Sequence, residues 1–160
     1  MSDNVNSGFR TVRGYQLANQ QEGKLTPALE DYLEMTYRLC AQNDHARIGK
    51  LSQLLNVKPS SASKMISKLA NLGYLKYVRY EIIQLTDSGR KLGEYLLKRH
   101  KTVETFLRLI GSANALKEAE LIEHMLSAST VAALDTLNVF FSFDTEAAQR
   151  YIAFKEAGLK

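Results

Sequence analysis

The chain has 160 residues, 45% of them apolar and 24% charged, with a net charge of +4; that suits one ordinary domain or two small ones. Mean hydropathy is -0.24, and no run approaches the ~20 apolar residues needed to span a bilayer, which excludes a membrane protein. The single cysteine, Cys40, cannot form an internal disulfide, and no basic start with an apolar stretch opens the chain, so the expectation is a cytoplasmic protein.

Residues 1–24, rich in Asn, Gln, Ser and Gly without a sustained apolar period, predict a flexible arm. Thr26-Pro27 predicts a helix start, because a hydroxyl caps free amides and proline there loses no hydrogen bond. Leu29, Leu33, Tyr37 and Leu39 give that helix a buried side. After the polar break at Gln42 to His45, the residues Ile48, Leu51, Leu54 and Leu55 predict a short second helix. A third starts near Pro59, with Ala62, Met65, Ile66, Leu69 and Leu72 as its buried stripe. Its other face is Ser60, Ser61, Ser63, Lys64, Ser67 and Lys68, which is small, polar and basic. Asn71 and Gly73 end it. The Tyr-, Val- and Ile-rich residues 74–86 then predict a small strand pair. A long helix follows from about Asp87 to Gly111, with three shorter ones near 116–126, 129–141 and 145–157. The fold class is therefore mainly α: a winged helix-turn-helix over 25–95 with a small two-stranded wing, then an all-helical region over 96–160.

Charge is unevenly spread. Residues 47–100 carry eleven Lys/Arg against three acids, a balance of +8, whereas 112–160 carry four against seven. A basic block on a helix-turn-helix is the footprint of a DNA binder, although a polar outer face is also routine on a plain helical hairpin. Short Ser60, Ser61 and Ser63 can reach base edges, and Lys64 and Lys68 can reach phosphates.

A second group of residues suits a divalent cation. Successive residues of a helix turn by ~100°, so Glu120, Glu123 and His124 face one way. Carboxylates and imidazole are hard-to-borderline donors. Asp31 and Glu34 form a similar i, i+3 pair, and His100 is flanked by Leu96, Leu97 and Val103 on an inward face. Each has a simpler reading alone: Asp31 favours a helix dipole, Glu123 is surface, and His100 is a core histidine. Spacing does not show that the three helices converge. His45 reads as solvated and Cys40 as a small buried filler.

The runs TPALEDYLEMTYRL, VKPSSASKMISKLANLGYL, KRHKTVETFLRLIG and EAELIEHMLS resemble the diphtheria toxin repressor family, in particular its manganese transport regulator branch, over about residues 25–145. That resemblance implies a dimeric winged-helix repressor with two Mn(II) ions per subunit, held by Asp31, Glu34, His100, Glu120, Glu123 and His124. Fe(II), Zn(II), Co(II) or Cd(II) are possible substitutes. Iron-sensing relatives carry Met and Cys where this chain has Asp31 and Glu120, and many carry an SH3-like domain for which no length remains here. At the wing, Glu81-Ile82 stands where a basic residue and glycine are frequent, and an acid repels phosphate.

The expected function is thus a Mn(II)-activated repressor of manganese-uptake genes, not an enzyme. Its partners would be a near-palindromic double-stranded DNA operator and a second copy of the chain, with no membrane. Val139, Phe140, Phe141 and Phe143 form more apolar surface than so small a lobe covers alone, which also points to a homodimer. Two alternatives stand: a winged-helix regulator that senses no metal, and a di-metal carboxylate bundle enzyme. The latter class usually has Glu-x-x-His on two helices, whereas here Glu120-x-x-Glu123-His124 occurs once.

Overall fold

The computed structural model describes residues 25–78 and 82–158, with the backbone alone at Val78. The predicted arm at 1–24 and the wing tip at Arg79, Tyr80 and Glu81 lie outside the described residues. The chain divides into two compact units, the first ending at Glu94 and the second beginning at Tyr95.

The first unit opens with α1 (Pro27–Asn43), whose Thr26 side chain accepts the Leu29 amide. Leu29, Leu33 and Leu39 are buried as their spacing predicts. The helix stops at Asp44, which takes a left-handed conformation with φ 61°. A two-residue strand, β1 (Ala46–Arg47), then leads into α2 (Ile48–Leu54) and α3 (Pro59–Asn71). The turn between these helices passes through Asn56 at φ 52°, a region that asparagine tolerates better than branched residues.

Ala62, Ile66 and Leu69 on α3 are fully buried. Two predicted core positions are exposed: Leu54 by 45% and Leu72 by 54%. Both sit at helix ends, where the following turn carries the chain off the buried stripe. β2 (Leu75–Val78) and β3 (Ile82–Leu85) pair antiparallel, with Leu75 opposite Leu85 and Val78 opposite Ile82. The sheet has three strands rather than the predicted two, in the order β1-β3-β2, because Ala46 and Arg47 pair with Ile83 and Ile82. Cys40 is buried against this sheet, its thiol donating to the Ile83 carbonyl at 3.8 Å.

Helix α4 (Asp87–Ile110) begins in the first unit and ends in the second. Thr86 fixes its start: the hydroxyl accepts the Gly89 amide at 3.0 Å and donates to the carbonyl oxygens of Gly73 and Tyr74. A Cβ on Gly89 would overlap the Tyr74 carbonyl oxygen, and one on Gly93 would lie 2.7 Å from Cβ of Tyr37. Both glycines permit close backbone approach. Gly111, at φ 88°, closes α4 as expected of a residue in the left-handed region.

The second unit adds α5 (Ala115–Ile122), a 3-10 turn (Glu123–Met125), α6 (Ala128–Phe143) and α7 (Thr145–Gly158). Its core holds Val103, Leu107, Ala115 and Ala119, with Leu126 and Leu134 packed against them. Ser127 caps α6 by accepting the Thr130 amide at 3.2 Å, and Asp144 caps α7 by accepting that of Ala147 at 2.8 Å. Much of the apolar surface of α6 and α7 stays outside this core: Phe143 is 85% and Phe154 78% exposed. Among the described residues no helix is long and apolar enough to cross a membrane.

Candidate metal centre and nucleic-acid interface

In the second unit, one buried carboxylate gathers the polar side chains. Glu123 is 2% exposed, so the reading that made it a surface residue is incorrect. Leaving an ionised carboxylate there uncompensated would cost several kcal/mol. Nitrogen groups surround it. Nδ1 of His100 donates to Oε2 at 2.9 Å, Nε2 of His124 lies 3.8 Å from Oε1, and Nη2 of Arg99 lies 4.0 Å from Oε1. Arg99 Nη2 also donates to Nδ1 of His124 at 3.1 Å.

Hydrogen-bond chemistry orients His100. An ionised carboxylate only accepts, so Nδ1 carries a proton, and Nε2 is the second nitrogen of the ring. That nitrogen lies 3.7 Å from Oε2 of Glu104. Glu104 is in turn held through Oε1 by Nε of Arg108 at 3.0 Å. The sequence reading passed over Glu104, although its i+4 spacing from His100 placed both on one face of α4.

The expected group of Glu120, Glu123 and His124 spans a change of helix type. The α-helix ends at Ile122 and the chain tightens into a 3-10 turn at Glu123. Each residue of that turn advances ~120° instead of ~100°. Glu120 is exposed while Glu123 is buried. The structure brings His100, Glu123 and His124 together. In the first unit, Asp31 is exposed and Glu34 buried, the latter accepting from Nε of Arg38 at 3.0 Å.

The donor chemistry of the second unit fits a divalent cation of hard-to-borderline character. Two imidazoles and a carboxylate converge in a setting that excludes most water, and among the described residues no cysteine joins them. Cys40 belongs to the first unit, and burial pushes its thiol up, with Arg90 partly opposing the shift. It stays protonated at neutral pH and serves as packing, as its isolation in the sequence suggests.

On α3, Ser60, Ser61, Lys64 and Lys68 are exposed and Ser63 is half-buried. Ser67 donates to the Ser63 carbonyl at 2.9 Å, a local bond that occupies its hydroxyl. No acidic residue stands in the first turn of α3, so nothing there opposes an approaching phosphate. One charge leaves the basic block counted in the sequence: Arg99 is buried, 4% exposed, and faces Glu123 and His124 instead of solvent.

Comparison with known proteins assigns both units. The N-terminal DNA binding domain of the iron dependent repressors matches residues 24–82, and their metal binding and dimerisation domain matches residues 86–151. The chain belongs to the iron dependent repressor family. Within that family, the HTH-type transcriptional regulator MntR of Geobacillus kaustophilus is 40% identical over 121 residues, covering 74% of this chain and 86% of the relative. MntR of Oceanobacillus iheyensis is 39% identical, with 74% and 82% covered, and the two together put this repressor on the manganese branch. A manganese-dependent transcriptional repressor solved in complex with manganese superposes with a TM-score of 0.59 at 31% identity, covering 70% of this chain. The chain spans about half that structure's length, 53%. This member of the iron dependent repressor family is a metal-dependent, DNA-binding transcriptional regulator and not an enzyme.

Proposed function

We propose that the protein is a cytoplasmic, Mn(II)-activated repressor of manganese-uptake genes that acts as a homodimer on a near-palindromic operator. The observation that carries this reading is the buried cluster of His100, Glu123 and His124, which combines nitrogen and hard oxygen donors without a thiolate. Its likeness to regulators named for manganese supports the choice of metal. Asp31, Glu34, His100, Glu120, Glu123 and His124 would hold two Mn(II) ions per subunit, with Fe(II), Zn(II), Co(II) or Cd(II) as substitutes. Bound metal supplies positive charge that neutralises these carboxylates.

Ser60, Ser61 and Ser63 would read base edges, while Lys64 and Lys68 would anchor phosphates. Since the proposed ligands are drawn from both parts of the sequence, metal and operator binding are linked and each strengthens the other. A DNA-binding titration with and without Mn(II) tests both parts together. Tight binding only with Mn(II) is expected, and equal affinity in chelator would overturn the metal dependence.

A further inference from the structure

We infer that Arg99 is a built-in competitor for the metal-binding nitrogen of His124, and so sets the cation concentration at which the second unit's donor cluster fills. The inference rests on His124 being a metal ligand. Arg99 is buried in the cluster, with Nη2 3.1 Å from Nδ1 of His124 and 4.0 Å from Oε1 of Glu123. A guanidinium has five N–H donors, no acceptor, and stays charged in proteins. Nδ1 of His124 must therefore be the acceptor, which puts the ring proton on Nε2, 3.8 Å from Oε1 of Glu123.

A neutral imidazole has one in-plane lone pair, and here it is committed to Arg99. A cation binding at Nδ1 must displace Nη2 outright. Binding at Nε2 requires the proton to leave that nitrogen and return from solvent to Nδ1, where it would point at an Arg99 N–H. Either route breaks the Arg99–His124 bond. His100 meets the same carboxylate differently, its Nδ1 donating to Oε2 of Glu123 at 2.9 Å. Guanidinium and cation also contend for the same carboxylate, since Glu123 balances whichever positive charge lies beside it.

The test is calorimetric titration of the metal-stripped full chain with Mn(II), comparing wild type with Arg99→Gln and Arg99→Lys. A glutamine amide can accept from Nδ1 as well as donate to it, so Arg99→Gln lifts the constraint and should tighten Mn(II) binding by about tenfold. Lysine is still a pure donor and should leave the affinity within about threefold of wild type. No tightening in Arg99→Gln, while wild type binds, would overturn this inference alone. The absence of saturable heat in wild type would instead remove the metal reading on which it rests. Should either variant fail to fold, nitrogen-15 NMR of histidine-labelled wild type decides. His124 should be protonated on Nε2 before metal is added, and Zn(II) should move its signals away from that pattern. Protonation of His124 on Nδ1 instead, or His124 signals unmoved by saturating Zn(II), would overturn it.

Discussion

Lys64 and Lys68 stand one turn apart on the exposed face of α3. Replacing both with alanine should weaken DNA binding and flatten its salt dependence by about one unit per lost phosphate contact, read from binding isotherms at several salt concentrations. An unchanged slope would take α3 out of the groove. Ser60, Ser61 and Ser63 carry no charge, so their alanine variants should relax sequence preference more than they lower non-specific affinity. Cys40 gives a prediction of another kind. Its thiol is pushed up by burial, so the stability it contributes is complete below the ordinary thiol range and is lost as pH rises through the folded-state value. Urea midpoints of wild type should therefore fall more between neutral and alkaline pH than those of Cys40→Ala. A parallel decline in the two proteins would contradict this. His100 and Cys40 were both legible as buried from their apolar neighbours. Arg99 was not, because an arginine on a helix ordinarily keeps its head in water, and Glu123 and His124 beside it are distant in sequence.

At the scale of elements, helix starts were legible because capping is local: Thr26-Pro27 and Pro59 sit where α1 and α3 begin. Strand β1 was hidden, since two residues carry no period and become a strand only through Ile82 and Ile83. The 3-10 turn at Glu123 was hidden for a similar reason, as three residues cannot distinguish a repeat of 3.0 from one of 3.6. The start of α4 yields the sharpest stability prediction. The Tyr74 carbonyl oxygen is held by the Thr86 amide at 3.0 Å and shares the Thr86 hydroxyl proton with Gly73, which limits its retreat from a Cβ on Gly89. Gly89→Ala should destabilise the protein by about 1–3 kcal/mol, measured by urea unfolding. Gly49, where a Cβ would meet nothing within 4 Å, is the matched control, and Gly49→Ala should stabilise by a few tenths of a kcal/mol.

For the whole molecule, the exposed rings of Phe143 and Phe154 and the half-exposed Phe140 on α6 and α7 are the surface that a second copy would cover. Sedimentation at micromolar concentration should show a dimer, and Phe143→Asp should shift it toward monomer while leaving the first unit folded. A wild-type monomer under those conditions would rule the dimer out. A continuous α4 also constrains anyone wishing to build chimeras from this chain. The boundary after Glu94 falls inside a helix, not in a loop, with Gly93 on one side of the junction and His100 on the other. One residue inserted there would rotate His100 by ~100° about the helix axis relative to Gly93, and would push it ~1.5 Å further along. Seven residues would come within ~20° of the original phase at the expense of two extra turns. Joining the sensor half of one regulator to the DNA-binding half of another at this boundary thus means splicing within a helix, where a flexible linker would break the backbone hydrogen bonds of α4 itself.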